Sequence, residues 1–453
     1  MPALLAAVLV LAGCVAPPPA ILEDANAEPP AAVWSPPVPK HDFTKVVDPD
    51  HQIHAAPVLH TGGAGLKLAG HTFVGSILPK DYAAAMTQID VWNGWAVLAG
   101  YHNGPSFVIV DLKDPAKPKP VSYFPNIGDG NSARFSKDGQ YVFFGCQLGA
   151  EGTVGKECGN PAQNRIATAT SGVSVFDVSD KAKPVFVDFL AGMRNHNVQT
   201  QWINGKDYVF TNGVDIIEFD REAKKLRSVA KVGGNHDATV VQHPVSGEWL
   251  LYTGTSELAI YNVDDPAHPS DVLAPGSWKS GTGWHEQVAF PRVLDGRVIL
   301  ALGGEEYTGT GAAGPGGVTI VDITDPANPV KLSYWAAPFL PKTPWAFYHF
   351  SIHEMAAHAD GQLAISWNHG GAWVLDVSSK ERQEKPVLLA AYQPHELLDQ
   401  MPHGGAQAFV PQVPRVWSVA WDQRGYLMLP DMFTGFYVLE PEWGLRPGLD
   451  GGA

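Results

Sequence analysis

Runs of β-branched and aromatic residues, each closed by an Asp, Glu or Asn, punctuate most of the chain. Phe107-Val-Ile-Val-Asp111 is followed by Asp114-Pro115 and Pro118, and Val173-Ser-Val-Phe-Asp177 by Asp180 and Pro184. Leu258-Ala-Ile-Tyr-Asn262 precedes Asp265-Pro266, Val318-Thr-Ile-Val-Asp322 precedes Asp325-Pro326, and Ala372-Trp-Val-Leu-Asp376 precedes Pro386. Ile216-Ile-Glu-Phe-Asp220 and Phe436-Tyr-Val-Leu-Glu440 are weaker copies. A short continuous apolar run that ends in an Asp-Pro turn reads as a buried strand and its tight turn. Recurrence at this period signals a repeat architecture. Seven copies predict an all-β fold, a seven-bladed β-propeller of four-stranded antiparallel blades.

Shorter apolar stretches fill in the blades, with strands A to D running from axis to rim. In blade one they are expected at residues 88–92, 96–101, 107–112 and 121–124, and in blade three at 198–202, 208–211, 216–219 and 228–231. Blade four follows at 238–243, 250–253 and 258–263, with a D strand near Val272. The last blade offers only three strands, at 417–421, 426–429 and 436–439. Its missing outer strand is expected from the N-terminal side, at His71–Leu78. Closure by strands from both ends removes a free sheet edge.

This alternation sorts the loops. The Asp-Pro turns all join strand C to strand D and share one face. The long insertions at 146–172, 305–317, 338–350 and 394–405 fall on the other, which is therefore the candidate functional face.

The repeat resembles the LVIVD repeat of bacterial and archaeal surface proteins, over roughly Gln88 to Glu440. That resemblance implies the propeller and says little about a reaction.

Composition agrees: 47 glycines and 38 prolines suit many turns, and 45% hydrophobic residues suffice for a core. A net charge of −15 without a basic cluster argues against nucleic acid as a partner. The segment from Ala3 to Ala12 is apolar and too short to span a bilayer. It runs into Leu11-Ala12-Gly13-Cys14, which resembles a bacterial lipobox. The resemblance implies a signal peptide at 1–13, a lipid on Cys14, membrane attachment in the bacterial cell envelope and, since residue 15 is Val rather than Asp, the outer membrane. A Pro/Ala-rich tether is expected over 14–65, the propeller over 66–445 and a short tail over 446–453. The remaining cysteines, Cys146 and Cys158, are expected to form a disulfide in an oxidising compartment.

The candidate chemistry lies in the histidines. His196-Asn197, His236-Asp237, His285-Glu286 and His353-Glu354 each stand at the head of strand A in blades three to six, beside the axis. Converging there, His196, His236, His285 and His353 would suit a transition metal (Fe, Cu or Zn), with Asp237, Glu286 and Glu354 orienting their rings. His102, His369, His349 and His403 belong to loops of the same face. The arrangement looks like that of carotenoid-cleaving oxygenases and is similar to the selenium-binding, methanethiol-oxidising propellers; the likeness implies a four-histidine metal site on the axis. The other reading is that each histidine locks its own blade, although blades one and two lack it. Trp284, Trp345, Trp367 and Trp373 suit either a ligand rim or blade packing, and Glu305-Glu306-Tyr307 either a clamp or an exposed acidic loop. The expected function is a lipid-anchored module whose loop-rich face binds a protein, glycan or small molecule. The alternative is a mononuclear metal (Fe or Cu) oxidoreductase.

Overall fold

The computed structural model describes residues 62–80, 82, 85–101, 104–147, 171–193, 195, 197–234, 236–305, 316–336, 351–394, 414–432 and 434–445. Their strands pair into seven antiparallel sheets. Blade one comprises Met86–Trp92, Trp95–Gly100, Phe107–Asp111 and Lys119–Phe124; blade two comprises Asp129–Phe135, Tyr141–Gln147, Gly172–Asp177 and Val185–Ala191. Blades three, four and five begin with Val198–Ile203, Ala238–Gln242 and Glu286–Ala289, and blade six with Met355–Ala357. Each A strand touches the A strands of both neighbouring blades, and Ala420–Trp421 of blade seven reaches Met86–Trp92, so the ring closes.

The repeated acidic residue is a turn device. Asp111 Oδ1 accepts from Lys113 N at 2.9 Å, Asp177 Oδ1 from Ser179 N at 3.0 Å and Asp322 Oδ1 from Thr324 N at 2.9 Å. Three residues on, Asp114, Asp180, Asp265 and Asp325 repeat the motif, each accepting from the N–H two positions later. Two successive side-chain-to-backbone bonds reverse the chain, and Pro115, Pro266 and Pro326 fix φ inside the second of them. In blade six the helix Lys380–Glu384 takes the turn's place, capped by Ser379, whose side chain accepts from Arg382 N.

The apolar runs are buried on both faces because each blade is sandwiched between two others. Phe107 of blade one meets Phe176 of blade two at a centroid distance of 5.0 Å, and Phe124 meets the same ring at 4.5 Å. Around the axis, polar side chains stitch adjacent A strands: Arg134 Nη1 donates to Ile89 O at 2.9 Å, Thr200 Oγ1 to Phe135 O at 2.8 Å and Gln201 Nε2 to Val240 O at 2.7 Å.

Closure comes from the N-terminal side as expected, but from a different segment. Leu66–Thr72 is the outer strand of blade seven, pairing Leu66 with Pro441 and Thr72 with Phe436. Of the expected strand His71–Leu78, residues Val74–Ile77 instead form a 3₁₀ turn whose Val74 is fully buried among Met86, Leu98 and Phe436. The apolar pattern there serves packing under the rim rather than a ladder. A side chain at Gly70 would place its Cβ 2.2 Å from Pro115 O, so glycine lets this strand approach the turn of blade one. Just upstream, Gly62–Ala64 adds a fifth strand to blade six, pairing with Gln393, Tyr392 and Ala391. The segment thereby clasps two neighbouring blades.

Candidate metal centre at the axis

His236, His285 and His353 each precede an A strand and come together at the elaborated end of the axis. The His236 and His285 rings lie 4.1 Å apart between centroids, and those of His285 and His353 lie 4.5 Å apart. Self-locking blades would hold these rings apart, each turned into its own sheet. The described histidines do the reverse. His236 has φ 65°, a left-handed backbone that costs a non-glycine residue energy.

Carboxylates interleave with the rings. Asp237 Oδ2 lies 3.4 Å from His236 Nδ1 and 3.3 Å from His285 Nδ1. Glu305, expected from sequence as either a clamp or an exposed loop residue, has a buried side chain between two imidazoles. Its Oε2 is 3.1 Å from His285 Nε2, and its Oε1 is 3.9 Å from His353 Nε2. Two groups emerge that can hold a metal ion: His236, Asp237 and His285, and His285, Glu305 and His353, the donor atoms of each lying within 4.8 Å of one another. Metal–nitrogen and metal–oxygen bonds of about 2.0–2.2 Å allow donors up to roughly 4 Å apart, so either group needs only a small contraction.

His285 Nδ1 lies 3.1 Å from the carbonyl oxygen of His353. A proton on Nδ1 serves that carbonyl and Asp237 together and leaves Nε2 with its lone pair toward Glu305. This favours the group of His285, Glu305 and His353. On His353, Nδ1 faces Glu354 Oε1 at 3.6 Å, the orienting contact expected from the sequence. Asp237 also orients His285, of the next blade. Glu286, expected to orient a ring, instead accepts from Met355 N and shares a hydrogen bond with Glu354.

These groups titrate unlike their free counterparts. Burial would raise the Asp237 pKa, but the charges of His236 and His285 and the hydrogen bond from Asn197 hold it well below the usual carboxylate range. Burial opposes charge on His236, yet the Asp237 carboxylate outweighs it and raises the imidazole. Glu354 is pushed up to about 7 by burial and by the charge of Asp237, and Glu286 well above its ordinary value by burial and by Glu354. The site thus places an ionised carboxylate against the imidazoles and a protonatable pair one layer below.

Of the other candidates, His369 is buried on the same face, its carbonyl accepting from Gln393 Nε2 at 3.1 Å, but it belongs to neither metal-holding group. Trp367 and Trp373 are fully buried and pack on one another at 5.6 Å, which makes them blade filling. Trp284 is buried, donating to Gln287 Oε1 at 3.1 Å. His196, His102, His349, His403, Trp345, Cys14 and Cys158 lie outside the described residues. Cys146 is fully buried, its Sγ 3.8 Å from Ile127 O.

No family model matches the chain, and no curated protein matches it. Among solved structures it is similar to a functionally unknown protein from Desulfotomaculum acetoxidans DSM 771, at 12% identity and a TM-score of 0.43, covering 65% of this chain and 83% of that one. Strand pairing within the chain itself identifies the fold: a seven-bladed β-propeller.

Proposed function

We propose that this propeller is a lipid-anchored cell-envelope module whose loop-rich face binds its partner through a histidine–carboxylate metal centre. The observation that carries this reading is the convergence of His285, His353 and Glu305, three buried side chains from blades five and six, with His236 of blade four alongside. Asp237 supports the same reading: its buried Oδ2 lies between two imidazole nitrogens, 3.4 Å from His236 Nδ1 and 3.3 Å from His285 Nδ1. A buried carboxylate shared by two imidazoles is stabilised by positive charge on its neighbours or by a cation beside it. His196, at the equivalent place in blade three, is proposed as a further ligand.

Imidazole with carboxylate suits Fe, Cu or Zn. Bound there, the metal would supply a Lewis-acidic site for a small molecule, or for a side chain or glycan of a partner. The chain's own contribution is to orient His285 through the His353 carbonyl and His353 through Glu354, and to keep Asp237 ionised. A second reading, a mononuclear Fe or Cu oxidoreductase, is favoured by the protonatable Glu286–Glu354 pair beneath the rings, which would place a proton source beside the metal.

The surrounding assignments belong to the same proposal. The chain is an LVIVD-repeat protein, Cys14 carries lipid and faces it to the outer membrane, and Cys146 pairs with Cys158. Elemental analysis of the purified protein from about Asp42 onward tests the metal. One equivalent of Fe or Cu supports a redox role, and one of Zn supports the binding role. A metal-free protein that also takes up none of these on reconstitution overturns both.

A further inference from the structure

Beneath the imidazoles, a polar contact joins two blades that are not neighbours. Gln88 of blade one donates through Nε2 to Glu354 Oε1 of blade six. Blade seven lies between them, so the two side chains meet across its axial edge. That edge leaves room because it carries the short Ser418, whose hydroxyl donates to Thr87 O at 3.0 Å and accepts from Ile89 N at 3.0 Å. Glu286 of blade five completes the cluster through its hydrogen bond with Glu354. All three side chains are buried.

Gln88 is the anomaly. Its Oε1 is buried and has no hydrogen-bond partner among the described residues, although the same amide touches Glu354. An amide oxygen can only accept, and ionised carboxylates beside it have nothing to donate. Arg134 of blade two bears on both carboxyls through its charge, but its Nε and Nη1 donate to Val198 O and Ile89 O. A buried acceptor is rarely left without a complement. Groups in such mutual hydrogen-bond contact hold their oxygens roughly 3–5 Å apart, a span that one cation bridges with bonds of about 2.3–2.6 Å.

We infer that Glu286, Glu354 and Gln88 Oε1 hold a calcium ion near the axis, tying blades five, six and one together beneath the histidines. An all-oxygen donor set selects hard cations over the metals that imidazole favours. Between those cations, Mg²⁺ demands near-ideal octahedral geometry and gives up its water reluctantly, whereas Ca²⁺ accepts an irregular, buried set. The site shares no ligand with the imidazole centre and does not rest on that centre binding a metal.

Calorimetric titration of Ca²⁺ into the chelator-treated full chain tests this, at about pH 8 so that protons compete little for the carboxylates. Wild-type protein should take up about one equivalent. Glu286→Gln keeps the shape and removes a charge, and should weaken binding at least about tenfold; Gln88→Leu should weaken it about tenfold. Glu305→Gln, altered only in the imidazole centre, should stay within about twofold of wild type. Should Glu286→Gln fail to fold, Gln88→Leu decides. Wild-type protein that takes up no Ca²⁺ overturns the inference, the pair then sharing a proton instead. Binding that Glu305→Gln loses and Gln88→Leu keeps also overturns it, placing the calcium among the imidazoles. A chain that takes up no Fe, Cu or Zn yet binds Ca²⁺ in the expected pattern upholds this site while the metal reading of the histidines fails.

Discussion

Glu305 Oε2 lies 3.1 Å from His285 Nε2, linking the start of the blade-five insertion to the head of that blade's inner strand. A carboxylate buried between imidazoles is a costly arrangement unless it shares a proton or a cation with them. Metal affinity should therefore depend on Glu305 as much as on the histidines. His353→Ala and Glu305→Gln are expected to abolish metal retention after dialysis, with the far-ultraviolet circular dichroism unchanged. Glu354→Gln, which meets His353 only at its far nitrogen, should lower affinity less, by about 10-fold. Metal retention in Glu305→Gln equal to wild type would remove Glu305 from the ligand set.

The metal-free protein should lose stability as pH rises toward neutrality. Burial and the charge of Asp237 put the Glu354 pKa at about 7 against an ordinary 4.5, and Glu286 is raised too. A carboxyl with a raised folded pKa binds more protons folded than unfolded between the two values, so stability falls across that window. His236, also raised, adds a loss in the same direction above its ordinary 6.5. Asp237, lowered, acts oppositely: its contribution is present above the ordinary 3.8 and is lost only in stronger acid. Denaturant melts of stripped protein between about pH 5 and pH 8 should show the decline, and Glu354→Gln should flatten it. An increase in stability over that range would contradict the shifts.

Repetition made the fold legible before any coordinates. Asp111, Asp177 and Asp322 recur because every blade needs the same turn, and a signal read many times tolerates degenerate copies. The site was legible only in part, since it occurs once. His236, His285 and His353 were visible because equal places in successive blades share one axis. Glu305 was ambiguous, since an acidic pair at a loop start gives no hint of burial. The outer strand was misplaced because Thr72-Phe-Val-Gly-Ser-Ile77 is as apolar as a strand, while the true one, Leu66–Thr72, carries Lys67 and Gly70.

The two cysteine assignments separate cleanly. If Cys146 pairs with Cys158, intact mass should rise by about 2 Da on reduction. Cys146→Ser should then lower stability by about 2–3 kcal/mol, the entropic worth of closing so short a loop. Cys14→Ser should release the protein from the membrane fraction. Continued sedimentation with membranes would show that something other than a lipid on Cys14 holds it there.

The clasp offers the sharpest test of how the ring is held. Gly62–Ala64 pairs with the outer edge of blade six, and Leu66–Thr72 completes blade seven. Leu66 is 2% exposed and packs among Tyr392, Leu389 and Leu439, joining the two blades in one core. A chain starting at Gly62 keeps both strands and should melt like the longer protein. One starting at Phe73 loses blade seven's outer strand, exposing the unpaired edge of Gly435–Pro441 and the apolar surface of Tyr437 and Leu439. An open edge of that kind invites pairing with other chains. The shorter chain is therefore expected to aggregate on concentration and to melt at least about 10 °C lower, as several buried apolar contacts are lost at once. A monomeric Phe73 variant with an unchanged melting temperature would show that the ring is held by its axial contacts alone.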